Sequence, residues 1–462
     1  MKKIILLSLF LVSIIYSYAQ GWEEVGTGAN ALKANSSITT TCVDANGTLY
    51  AAGSFTDSLS DTSGYCYVAK WNGTSWIQLG TGISALNANG IIFSICTDAE
   101  NNVFAAGNFK NAAGNCYVAK WDGTSWSELG IGGNELNANT AINSICLDQL
   151  GNVYAAGAFT NAVGYSYVAK WNGVNWSELG TGTTALNAND RIESIVSDTD
   201  GNIYACGGFY ISGFKRYVAK WDGLTWSTLG TGVNSLNAEN TIWTLHVDKK
   251  GNIYAGGFFK NAEHYHYVAK WNGVSWSELG SGGNELNAEG AILSICSDGI
   301  GNIYASGIFT DVAVKRFVAR WNGENWSSLG TGANSLNANN FVLSLSADKP
   351  NGYIYAAGYF SDGSTSYDGY KYVARYNTTT AVNQISKTGE IKAWPNPVHN
   401  ALHIEGISSG VNCYIYDMAG VVKQTIHIQQ TQNTNIVNVS DLRTGTYFLR
   451  CQNFIPFLFN KN

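Results

Sequence analysis

"TAINSICLDQLGNVYAAGAFTNAVGYSYVAKWNGVNWSELGTG", residues 140–182, decides the fold, because the chain keeps repeating it. Trp71, Trp121, Trp171, Trp221, Trp271 and Trp321 stand fifty residues apart, and Tyr376 takes the seventh place after a five-residue insertion. The unit divides into four strand-like pieces: "AINSICL" (strand a), "VYAAGAF" (b), "YVAKW" (c) and "WSELG" (d). Turn signals separate them. "DQLGN" at 148–152 is one, and Asn172-Gly173 is another, because Asn and Gly accept positive φ cheaply. No stretch has a helical period long enough for a crossover helix, so the strands should pair antiparallel. Four strands in roughly 40 to 50 residues is the size of a propeller blade.

The register of the repeat predicts how such a ring closes. "GWEEVGTG", residues 21–28, is a strand d with no a, b or c in front of it. The last unit, "YVARYNTTT", stops after strand c, and Thr378 replaces the hairpin Gly. A ring brings these orphans together, with Trp22 to Gly26 beside Tyr372 to Tyr376, and removes two open sheet edges. An open solenoid leaves both half-units unpaired and calls for polar caps, which the sequence lacks. The expectation is an all-β chain: a seven-bladed β-propeller closed by its N-terminal strand, then a small C-terminal β-sandwich.

Four segments follow. Lys2 and Lys3, an apolar run from Ile4 to Ile15 and the small-x-small Ser17-Tyr18-Ala19 read as a signal peptide over 1–19. Residues 20–378 are the propeller, 379–389 a linker and 390–462 the C-terminal domain. No later apolar run is long enough for a transmembrane segment. A net charge of −6 with 13% charged residues excludes the basic signature of a nucleic-acid-binding domain. Nine cysteines leave at least one without an intramolecular partner. Cys42, Cys96, Cys146 and Cys296 share one repeat position and read as small buried side chains rather than a disulfide framework.

The phrases "NIYAAG-x-F", "YVAKWNG" and "W-x-x-LGTG" make the repeats resemble those of bacterial kelch- and galactose-oxidase-like β-propellers. That resemblance implies architecture, not activity. The copper site of true galactose oxidases has no counterpart here, and no cofactor is expected. "WPNPVHNALHIEG" at 394–406, "CYIYDMAGVV" at 413–422 and "VSDLRTGTYFLR" at 439–450 resemble the C-terminal sorting domain of proteins exported by the type IX secretion system of Bacteroidota. The resemblance implies a β-sandwich that engages the secretion machinery, and a secreted or outer-surface location. The ending "NFIPFLFNKN" departs from the usual short strand and terminal basic motif, with Lys461 standing in for part of the latter.

Within the repeat, Asp98 and Asp148 end strand a, while Lys120 and Lys170 lie in strand c. They predict repeated contacts at one end of each blade, either between acid and base or with nearby backbone. One carboxylate per turn is too few for calcium's six to eight oxygen ligands, so no metal is expected. Trp22 and its equivalents open each strand d.

A site must come from differences between blades. The start of strand c carries Arg216, His266, Arg316 and Lys371 in the last four blades, flanked by Lys215, Lys315, Tyr265 and Tyr370. These predict a basic, aromatic arc suited to an acidic glycan or protein. The start of strand a places Asn143, Asp190, Arg191, Glu193 and Trp243 at the channel mouth. The functional expectation is a binding or scaffolding module for a glycan or surface protein. The alternative is a carbohydrate-active enzyme at the top of the channel, with Glu193 and Asp190 as its weak catalytic candidates.

Overall fold

Strand b shows why this sequence builds stacked sheets. Val153–Thr160 is apolar on both sides, and Ala155 and Ala156 are fully buried. A sheet with a neighbour on each face wants a continuous apolar strand, and alanines let those neighbours approach closely. A computed structural model describes residues 21–57, 64–311, 313–363, 369–378, 392–405, 412–418, 421–427, 434–451 and 457–462. The expected signal peptide (1–19) and linker (379–389) lie outside these. The chain forms two compact units that divide between Thr379 and Thr380.

The first unit is a β-propeller architecture of antiparallel four-stranded sheets. In one of them Ile142–Leu147, Val153–Thr160, Ser166–Trp171 and Trp176–Glu178 pair in chain order, as strands a to d. Among the described residues, seven sheets of this unit have four strands. In six of them all four strands come from one continuous segment. In the other, Val342–Asp348, Tyr353–Gly358 and Ala374–Asn377 take their fourth strand from Trp22–Glu24. Trp22 opposes Tyr376, Glu23 opposes Arg375, and the Val25 N–H donates to Val373 O at 2.8 Å. Arg375 also pairs with Glu23 at 2.7 Å.

Each strand a contacts that of the next sheet, and Val342–Asp348 contacts Ile38–Val43. There the Thr41 N–H donates to Ser344 Oγ at 2.9 Å. Every strand a also carries a bulge. Its register against strand b slips between Ile142 and Ser144, and at each equivalent place. Gly157 faces this bulge because a Cβ there would lie 2.2 Å from Ala141 O.

The outer strands are joined by one repeated bond. Trp76, Trp126, Trp176, Trp226, Trp276 and Trp326 donate their Nε1–H to Val25, Leu79, Leu129, Leu179, Leu229 and Leu279 carbonyls at 2.7–2.9 Å. Trp22 donates to Leu329 O at 2.8 Å. Each bond runs from one sheet's strand d to the preceding sheet's. The glycine after that leucine is held against the next sheet: at Gly80, with φ +83°, a Cβ would lie 2.7 Å from the Trp121 ring. A side chain there meets both a backbone penalty and a clash.

At the other end of each sheet the Asp and Lys columns part company. Asp148 Oδ1 accepts the N–H groups of Leu150 and Asn152, and Oδ2 accepts Asn152 Nδ2 and the Tyr154 hydroxyl at 2.7 and 2.9 Å. Asp98 caps its turn through Glu100, Asn102 and the Asn102 amide in the same way. Of the two contacts expected, the one to turn backbone forms and the acid–base pair does not, among the described residues: Lys170 Nζ lies 5.6 Å from the Tyr154 ring centre, and Lys120 Nζ 5.5 Å from that of Phe104. The register explains it. Tyr154 is the direct cross-strand partner of Lys170, so its ring stands between ammonium and carboxylate.

The second unit has two antiparallel sheets. Lys392–Trp394, Ala401–Glu405 and Thr434–Asn438 form one; Val422–His427, Asn412–Asp417, Gly445–Cys451 and Phe457–Lys461 form the other. Both contribute to one core, including Leu402, Ile404 and Val437 from the first and Ile415, Leu449 and Phe459 from the second. Cross-strand Cys413 and Cys451 form a disulfide. The other seven cysteines are free, among them Cys42, Cys96, Cys146 and Cys296 of the shared repeat position. The chain ending also differs from expectation. Phe457–Lys461 is a strand paired with Gly445–Cys451, and Lys461 is buried within it.

Two outcomes are expected in chemical denaturation of the mature chain. Trp176→Phe and Trp22→Phe should each cost about 1 kcal/mol, the loss of one bond to a carbonyl. Equal costs would mark the strand at 22–24 as a full member of its sheet; a negligible cost for Trp22→Phe alone would contradict that. Asp148→Ala should cost about 1–3 kcal/mol because it removes the acceptor of four donors, among them the hydroxyl of buried Tyr154, while Lys170→Met should cost under about 1 kcal/mol. Burial raises the Asp148 carboxyl, but hydrogen bonds from Asn152, Tyr154 and Leu150 outweigh it and hold it below its ordinary value. Asp248 behaves alike. A carboxyl depressed in the folded state stabilises above its unfolded pKa and loses that contribution as pH falls. Stability should therefore drop below about pH 4, and less steeply in Asp148→Asn.

Candidate functional site

The strand-a candidates occupy the bulge. Asn143, Glu193 and Trp243 are the bulged residues of three consecutive sheets, and a bulge turns its side chain away from the regular pleat. That lets it reach the next sheet: Asn143 Nδ2 donates to Ile192 O and to Glu193 Oε2, both at 3.1 Å. Thr39 reaches Ile92 O in the same manner. Glu193 also accepts from Arg191 Nε. The Glu193 side chain is 6% exposed and that of Arg191 54%. Burial raises the Glu193 carboxyl above its usual range, and the Arg191 guanidinium and the Asn143 amide only partly oppose this. Asp190 Oδ1 accepts the backbone N–H of Arg191 at 2.7 Å. Trp243 is half-buried and meets Phe258 edge-on at 5.7 Å.

The strand-c candidates sit in a different setting from the exposed basic arc that their charges suggest. Arg216 exchanges two backbone hydrogen bonds with Ala238, His266 with Ala288, Arg316 with Ala338 and Lys371 with Ala34. This position latches each sheet to the segment entering the next, and the side chain is drawn against that segment. Arg216 Nη1 donates to the Phe214 and Glu239 carbonyls at 2.9 Å, with its guanidinium 5.5 Å from the Tyr210 ring centre. The Arg316 guanidinium lies 5.0 Å from the Phe341 ring centre. His266 is buried, and burial, with Lys260 nearby, pushes its imidazole below the ordinary value. It therefore adds no charge near neutral pH. Arg216, Arg316 and Lys371 are half-buried, which corrects the picture of an open cationic arc.

What does face solvent is the residue before the latch. Lys215, Lys315 and Tyr370 are exposed there and Tyr265 is half-buried. Tyr65 and Tyr165, 43% and 38% exposed, fill the same position in two other sheets. The sequence reading missed them, although the column one residue before Cys66 and Ser166 displays them. It also passed over the "LNAN" phrase. Asn87, Asn137 and Asn187 adopt φ near +50°, which Asn tolerates. The next residue forms the latch, and the second Asn accepts the N–H of the segment leaving strand b, as Asn139 does from Thr160 at 3.0 Å.

At the opposite end, near the a–b turns, a cavity of about 520 Å³ is lined by Asp98, Asp148, Asp198, Asp248, Lys249 and Lys349 among others. Its aspartates are the turn-capping ones. Among the described residues no group of three or more His, Cys, Asp or Glu is placed to hold a metal ion.

Residues 392–455 match the family of secretion system C-terminal sorting domains. No curated protein matches the chain. Among solved structures it is similar to PorZ, a surface component of the type IX secretion system of Porphyromonas gingivalis, at 16% identity and a TM-score of 0.52 over 92% of this chain. The chain spans only 59% of that protein's length. It is also similar to the β-propeller domain of the Trilobed protease from Pyrococcus furiosus, at 8% identity and a TM-score of 0.47, over 74% of this chain and 96% of that one. No described helix is long and apolar enough to cross a membrane. The chain thus joins a β-propeller to a C-terminal sorting domain of type IX secretion, which makes it a secreted or cell-surface protein.

Proposed function

We propose that residues 20–378 form a seven-bladed propeller closed by its N-terminal strand, and that this unit is a glycan-binding module displayed by its sorting domain, residues 390–462. The signal peptide at 1–19 starts the export route. The observation that carries the binding role is the rim position before strand c, which holds exposed Tyr65, Tyr165 and Tyr370 and exposed Lys215 and Lys315. Tyrosine rings present an apolar face with a polar tip, and lysines add hydrogen-bond donors on flexible stems. Such a set meets the mixed apolar and hydroxyl surface of sugars. The carbohydrate-active enzyme has less support. Its Glu193 carboxylate is engaged by Arg191 and Asn143, and Asp190 caps the following N–H.

Two experiments test this reading. In the producing cell, removing residues 390–462 should leave the propeller in the periplasm, detected by fractionation. Surface display of the truncated chain would contradict the sorting role. A glycan array probed with the full mature chain should show binding that falls about tenfold or more in Tyr65→Ala/Tyr165→Ala/Tyr370→Ala, equivalent to about 1.4 kcal/mol. Binding unaffected by that triple change would remove the rim from the function.

A further inference from the structure

Glu193 stands where the repeat asks for something cheaper. Leu293 and Leu343 fill the same bulge position in two other sheets, and Leu293 is buried there. A carboxylate with a 6% exposed side chain is a costly replacement for leucine. Nothing in the sheet's hydrogen bonding requires it: the Asn143 bond to Ile192 O already ties the two sheets together. What Glu193 adds is a grip on Arg191 Nε. Arg191 is itself a departure, since Ala141 and Ala291 fill its place elsewhere. Its Nη groups make no hydrogen bond among the described residues, and its side chain is 54% exposed. The result is a guanidinium held by one nitrogen, with its outer donors presented at the channel mouth. Asp190, on the same segment, presents its second carboxylate oxygen beside Gly208, where a side chain would collide with it at 2.6 Å. The neighbouring sheet contributes Trp243 at its own bulge, fixed by Phe258.

We infer that Asp190, Arg191 and Trp243 form a subsite for an uncharged sugar ring at the channel mouth, with Glu193 and Asn143 as the residues that position Arg191. An indole offers a stacking face, and an acceptor next to a donor fork suits a pair of vicinal hydroxyls. Charge selects the class. Asp190 and Glu193 outnumber Arg191, so an anionic sugar is repelled, and the exposed guanidinium opposes a cationic one. The inference rests on the glycan-binding reading and adds a second, separately testable place on the same end of the sheets.

The repeat supplies variants that the fold already tolerates: Trp243→Leu, Glu193→Leu and Arg191→Ala each install a residue found at the equivalent position of another sheet. Neutral and acidic oligosaccharide arrays would be probed with the full mature chain, these variants and the rim triple variant, with melting temperature as the folding control. The expected result is binding to neutral glycans that falls about tenfold or more in Trp243→Leu and Arg191→Ala, a typical effect of losing an aromatic or charged contact. Because Arg191→Ala leaves the Glu193 carboxylate buried without its partner and lowers the melting temperature, Arg191→Ala/Glu193→Leu, which removes both charges, should lose binding equally in a fully folded chain. Glu193→Gln, which keeps shape and loses charge, should weaken binding less than Glu193→Leu. Loss in the rim variant alone overturns the inference while sparing the broader reading. Preference for acidic glycans overturns the assigned class. Wild-type chain that binds no glycan overturns both.

Discussion

A hydrogen bond from an indole N–H to a leucine or valine carbonyl recurs at every junction between neighbouring sheets of the first unit. It does what sheet packing alone does not. Apolar faces made of alanine and valine are non-directional, and two such sheets can slide. A Trp that must reach one carbonyl fixes the offset between strand d and its neighbour, while its ring covers the edge of the core. The glycine after the accepting residue meets a second indole, as Gly80 meets the strand-c Trp121, which occupies the space a side chain would need. Both junctions of the N-terminal strand use this bond, as donor through Trp22 and as acceptor through Val25.

The rest of the polar inventory follows a similar economy. The aspartates saturate their own turns, the strand-c lysines lie over aromatic rings, and the asparagines of "LNAN" set a left-handed step and cap the segment beside it. In a chain with only 13% charged residues, the repeated turn aspartates and strand-c lysines serve to hold strands in place. The rim tyrosines and lysines and the group around Arg191 stand outside this repeated scheme. Identical blades make function visible by contrast, since a position filled by leucine in one sheet and a buried glutamate in another needs a separate cause.

Strand order was legible because each strand has its own signal: β-branched residues in a, alanines in b, the Trp pair bracketing Asn-Gly between c and d. The pairing of Trp22 with Tyr376 followed from counting those pieces. The C-terminal unit was legible through three motifs with consistent spacing. The errors share a physical origin. Spacing places Asp148 and Lys170 at one end of a sheet, but only register shows Tyr154 between them. Charge marks Arg216 and His266 as cations, but only the backbone latch to Ala238 and Ala288 shows why they turn inward. The Cys413–Cys451 pair depended on which strands of the second unit lie side by side, which motif order does not reveal.

The fourth strand of the last sheet has a consequence in time. Trp22–Glu24 leaves the ribosome early, while its partner Ala374–Asn377 is among the last parts of the unit to be made. A contact between residues so far apart in the chain is slow to form without the intervening sheets to bring its ends together. Six sheets can assemble as their own segments appear, but the seventh waits for both termini of the unit. Until then the first and sixth sheets keep an unmatched flank, and the chain remains easier to unravel than the finished unit. Completion is thus coupled to synthesis of the segment that immediately precedes the sorting domain, so the locked form and the address for export become available together.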